Sequence, residues 1–121
     1  MKAFFISTLI FSVMLALVLF NSFYVVSTTD QIMEMLSSIT SEPENLMEEV
    51  SELESFWDKN SEWLDLTANR QFINSIGTKI ANIRLYAERG ESKQLGTIAL
   101  ILNEEVKELR RLEKFSFGNI F

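Results

Sequence analysis

Apolar and polar positions divide the chain into one uncharged apolar run followed by three amphipathic stretches. The run is Ala3 to Val26, 24 residues. At about 1.5 Å of rise per residue it makes a helix of about 36 Å, longer than a hydrocarbon core of about 30 Å. Its polar members (Ser7, Thr8, Ser12, Asn21, Ser22) are small and neutral, and helical hydroxyls bond back to their own carbonyls. Past this run Val25, Ile32, Leu36 and Ile39 keep helical spacing. That spacing predicts one continuous helix, emerging as a stalk to about Ile39. The rival is a break, with Thr28 or Thr29 capping a new helix and Asp30 in its first turn.

Ser38 to Glu44 interrupts the pattern, with Pro43 inside it. Ser41 and Glu44 have the spacing of a capping box, which predicts a helix starting near Pro43. Its inner face is Leu46, Val50, Leu53, Trp57 and Leu64, widened by Met47, Phe56, Trp63 and Leu66. A turn at Thr67–Arg70, with Asn69 or Thr67 as cap, leads to Phe72, Ile73, Ile76, Ile80, Ile83 and Ala87. Gly90 ends that helix, because a left-handed residue closes a last turn at little cost. Gly77 inside it costs about 1 kcal/mol against Ala and marks close packing. Ser92 opens a last helix carrying Leu95, Ile98, Leu102, Val106, Leu109 and Leu112, with Ala99 and Ile101 as a second apolar set in a buried first half. Phe115–Phe121 reads as an apolar tail that packs on the bundle or touches a bilayer.

The fold class is therefore all-α: an N-terminal transmembrane helix, then a small antiparallel three-helix bundle, or four helices if the stalk packs. Residues 1–26 form the anchor, 27–42 a helical stalk and turn, and 43–121 an extracytoplasmic bundle. A secretory signal has a shorter apolar core and a small-x-small cleavage site. Val25-Val26-Ser27 is a poor one, so an uncleaved signal-anchor is expected over a cleaved leader. A buried core helix is the third alternative, with too little other chain to wrap it. Lys2 lies on one flank and the next base is Lys59. The positive-inside rule then places the N-terminus in the cytoplasm and Ser27–Phe121 outside the cell membrane.

Charge adds a second asymmetry to the net −6. Asp30 to Asp65 holds eleven acids against Lys59, and from Leu66 onward nine bases meet six acids. Nucleic acid is not an expected partner, since phosphate binding needs a basic face. The chain lacks His and Cys. That removes His-based acid–base chemistry, thiol nucleophiles and the Glu-x-x-His di-iron pattern. Glu48, Glu49 and Glu52, like Glu104 and Glu105, read as solvated helix faces before they read as a carboxylate metal site. Trp57 and Trp63 stand about 120° apart around a helix, so one is core and the other lies at an edge. No nucleophile elbow or phosphate loop is present. The chain is not expected to be an enzyme, and no catalytic, cofactor-binding or metal residue and no cofactor is assigned.

The charges also suggest a register. Across a hairpin turning at Thr67–Arg70, Asp58 faces Lys79, Glu54 faces Arg84 and Glu49 faces Arg89. The last helix is expected to run parallel to the Glu44 helix, so that Glu44 meets Lys93, Asp58 meets Lys107, Glu62 meets Arg111 and Asp65 meets Lys114.

Taken together, the anchor, the Trp57–Trp63 helix, the helix around Asn69–Tyr86, the Gly90-Glu91 turn and the terminal Asn119-Ile120-Phe121 resemble a family of small bacterial proteins, domain of unknown function 4363. The resemblance covers nearly the whole chain, without one specific motif. It implies a bacterial membrane-attached helical protein and supplies no catalytic residue. The expected role is a membrane-anchored interaction or accessory module. Its partner would be another membrane or envelope protein, or a second copy in coiled-coil-like self-association. The alternative is a small-molecule sensing bundle, which a cavity lined by Trp57 or Trp63 would favour.

Overall fold

The computed structural model describes residues 1–41, 43–67 and 70–120, except the side chains of 67 and 115–120. Four helices follow one another: α1 (Lys2–Thr40), α2 (Leu46–Thr67), α3 (Arg70–Arg89) and α4 (Ser92–Ile120). No strand occurs among the described residues.

α1 is unbroken over 39 residues, so the stalk is continuous with the apolar run. Val25, Ile32, Leu36 and Ile39 are all buried, as their spacing requires. Thr28 and Thr29 are buried with them. The Thr29 hydroxyl donates to the Val26 carbonyl at 2.8 Å, which satisfies it inside the helix. These threonines therefore belong to the core face of one helix and cap no new one. The stalk packs, and the bundle has four helices.

Among the described residues α1 touches α2 and α4, and α3 touches the same two. Among these residues the backbones of α1 and α3, and of α2 and α4, do not approach closely. The helices thus occupy the corners of a square, with chain neighbours antiparallel because their connections are short. Each helix sends one apolar stripe inward: Ile32 and Leu36 from α1, Leu53 and Leu64 from α2, Ile76 and Ile83 from α3, Leu102 and Val106 from α4. Burial of each such side chain stabilises by about 1.5–3 kcal/mol.

The square overturns the proposed α2–α4 pairings. α2 and α4 are diagonal, so Lys107 bonds Glu104 and Arg111 bonds Glu108 within α4 instead. Across α2–α3 the Glu54–Arg84 pair forms. Lys79 turns away from Asp58 to Glu105 of α4 at 2.5 Å, with Ser75 as a further acceptor. Glu49 takes a hydrogen bond from Ser38 of α1 and not from Arg89.

The turns differ from expectation at one end and agree at the other. The Ser41 hydroxyl donates to the Ser38 carbonyl, closing α1, so it is spent before α2 begins. α2 starts after Asn45, whose carbonyl takes the first helical bond from Glu49 N. The capping box is not formed. At the far end of α3, Gly90 has φ +68°. Glu91 N bonds Tyr86 O at 2.9 Å and Gly90 N bonds Ala87 O at 3.3 Å, the paired bonds of a Schellman cap. Glu91 O then accepts from Leu95 N, so Ser92 is already the first residue of α4. That helix runs through Gly118 to Ile120, absorbing most of what reads as a tail. The Asn69 cap and the packing of the Phe115–Phe121 side chains lie outside the described residues. Ile101 is exposed, as is Leu100 beside it; only Ala99 of the second apolar set faces inward, because the square leaves the outer side of α4 uncovered.

Candidate functional site

The region of greatest chemical interest among the described residues is where the free half of α1 joins the bundle. From Met1 to Phe20 every residue is exposed except Leu15, which is half-exposed. Burial starts at Ser22 and Val25. Tyr24 and Trp63 make an edge-to-face contact with ring centroids 5.9 Å apart. The Tyr24 hydroxyl donates to Asn60 Oδ1, and Asn60 Nδ2 donates to the Phe56 carbonyl at 2.8 Å. α1 and α2 are thus pinned together beside the point of emergence.

A hydrogen bond, a ring contact and an ion pair fix the levels of α2 and α4 against α1 there. Ser38–Glu49 and Tyr24–Trp63 both have residue numbers adding to 87, which sets Leu66 level with Asn21. Asp30 pairs with Arg110 at 3.0 Å, a sum of 140 that sets the end of α4 level with Phe20. α2 and α4 therefore finish where the free half of α1 begins. This end is the floor of the bundle. Around it Phe23 is 74 % exposed, Leu66 81 % and Trp63 42 %. Asp65 and Arg70 bridge the α2–α3 turn at 3.3 Å. Nearby on α4, the Arg111 guanidinium holds the Glu108 carboxyl below its usual range, while burial pushes Glu113 up.

The expected placements of the tryptophans hold. Trp57 is core, 7 % exposed, and Trp63 is the edge residue. The close packing marked by Gly77 is against Trp57: a Cβ there would stand 3.1 Å from the indole nitrogen. The groove beside them, about 570 Å³ and lined by Trp57, Ser61, Ile73 and Gly77, is open along the α2–α3 surface. A second groove of about 280 Å³ between α1 and α2 gathers Glu34, Glu49 and Glu52. Among the described residues no group of three or more acids is placed to hold a metal ion. Glu48 is exposed, with a 3.4 Å contact from Asn45.

The floor was not singled out from sequence as a site. Its signal was the overlap of two patterns at Ser22–Val26, where the apolar run and the core stripe share residues. Among the described residues one helix, α1, is long and apolar enough to cross a membrane. No curated protein and no solved structure matches this chain. A family profile described as "Domain of unknown function (DUF4363)" matches residues 19–120. That range starts within a turn of the first buried residue and takes in the four-helix bundle. The chain belongs to the DUF4363 family.

Proposed function

We propose that the protein is a single-pass membrane protein whose bundle is an interaction or accessory module held at the membrane surface. One observation carries this reading: a single unbroken helix supplies both an exposed apolar half and a corner of the bundle. Twelve large apolar side chains between Phe4 and Phe20 are exposed. Left in water they forfeit on the order of 20–30 kcal/mol in total. A bilayer removes that penalty, and the chain's own bundle does not cover it.

Orientation follows from Lys2 on one flank and no other base before Lys59, which favours a cytoplasmic N-terminal flank and a bundle outside. The chain has no cysteine, so one placed at exposed Gln94 gives a clean probe. Labelling of Gln94→Cys by an impermeant maleimide on intact cells is expected; labelling only after lysis would reverse the topology.

The partner is expected to be a membrane or envelope protein, or a second copy. The exposed Leu100 and Ile101 on α4 are the apolar surface best placed to meet it. A photo-crosslinking residue at Leu100 of the full chain, activated in native membranes, should give a discrete protein adduct in the carbonate-resistant fraction. Extraction of the chain by alkaline carbonate would refute the anchor, and adducts to lipid alone would refute the module. The open Trp57 groove favours the sensing alternative only as a shallow surface site, since ligand pockets bury most of their ligand.

A further inference from the structure

The free half of α1 is too short to hold the bundle away from a bilayer. Ala3–Phe20 is 18 residues, about 27 Å of helix, against a hydrocarbon core of about 30 Å. The bundle engages α1 from Ser22, with no break in the helix between. A spanning α1 therefore brings the floor down to headgroup level. There it presents Phe23, Leu66 and the Tyr24–Trp63 pair. Tryptophan and tyrosine concentrate at that depth because each joins an apolar body to a polar tip. Arg70, 78 % exposed on a long stem and paired with Asp65, lies at the same end, and an arginine stem of that length can carry its guanidinium to headgroup depth.

We propose that the floor of the bundle, through Phe23, Tyr24, Trp63 and Leu66, is a lipid-docking surface seated in the interfacial layer of the bilayer that α1 crosses. This rests on the anchoring reading above. The occupant is lipid and not a second protein, because the free helix leaves no gap between floor and bilayer for a partner to enter. Docking gives the bundle a fixed height on the membrane, with Leu100 and Ile101 held clear of the lipid surface.

The test uses the full chain in vesicles of phosphatidylethanolamine and phosphatidylglycerol. These carry nitroxide quenchers either near the top or near the end of the acyl chain. Trp63→Phe is the comparison. It changes an exposed residue, and buried Trp57, six positions away, remains as an internal reference. Quenching by the shallow nitroxide is expected to be several-fold greater in wild type than in Trp63→Phe, with the deep nitroxide weaker. Equal quenching in both proteins, in vesicles that retain the chain through alkaline carbonate, overturns docking and leaves the anchor standing. Trp63 open to aqueous acrylamide but not to nitroxide would mean that the floor stands in water, and shielding from both would mean a protein contact; either result overturns the proposal. Release by carbonate overturns the anchoring reading itself.

Discussion

Residues 3–20 and 22–39 belong to one helix, and the two halves meet opposite fates. The first is apolar on every side and exposed at every residue but the half-exposed Leu15; the second is apolar on one stripe and buried along it. In the second half Asp30, Gln31 and Glu34 stand opposite Ile32 and Leu36. A helix apolar all round needs an apolar surround, whereas a striped one needs a partner on one side only. The lesson is that helicity carries no information about the medium. The width of the apolar face does.

The largest effect expected is on the striped half. Leu36→Ala should destabilise the bundle by about 2–5 kcal/mol through a cavity, read as a lowered midpoint in chemical unfolding, with membrane retention unchanged. Loss of retention in this variant would break the separation of roles. The reciprocal change is Phe11→Arg, near the middle of the free half. It should cost about 2.5–3.5 kcal/mol of insertion and lower, without abolishing, the fraction of chain retained in carbonate-washed membranes. The unfolding midpoint of the detergent-solubilised bundle should stay put.

Lys79 tests a contact away from α1. Lys79→Met leaves Glu105, whose Oε1 already lacks a hydrogen-bond partner, without its cation, and a loss of about 1–3 kcal/mol is expected in thermal unfolding. Adding Glu105→Leu should recover much of it. Asp30→Asn weakens the tie between the striped half and α4, where both partners are partly exposed. The expected loss is about 0.2–1 kcal/mol, shrinking as salt is raised.

Glu113→Gln is the smallest, a gain within about 0.5 kcal/mol. Because burial raises the folded pKa of this carboxyl, the native state binds its proton more tightly than the unfolded chain. Its ionisation therefore costs stability as pH rises through the raised value, and below the ordinary range of about pH 4.3 the variant and wild type should converge. A gain that grew on acidification would refute the assignment.

Helix positions were legible because each stripe repeats at helical spacing, and Gly90 and Gly77 declared a turn and a close approach. What local pattern could not decide was competition. Ser41 stands near two helix ends, and the C-terminus of α1 took it. Lys79 had Asp58 and Glu105 within reach on different helices, and the square arrangement brought Glu105 nearer. That arrangement depends on whether the stalk packs, which turns on Thr28 and Thr29 accepting burial, and threonine reads equally well as a cap. The floor escaped notice because Tyr24 and Trp63 are 39 positions apart in sequence and meet only once α1 and α2 are in register.

The unbroken passage of α1 from its exposed half into the bundle has a mechanical meaning. There is no universal joint between the two, so the shaft and the head turn as one piece. One alanine inserted between Phe20 and Asn21 would rotate the head by about 100° against the lipid-facing side of the shaft and raise it by about 1.5 Å. If α1 spans a bilayer as proposed, twist of the shaft meets no break in the helix before it reaches the head, and Leu100 and Ile101 would be swept through an arc around the α1 axis.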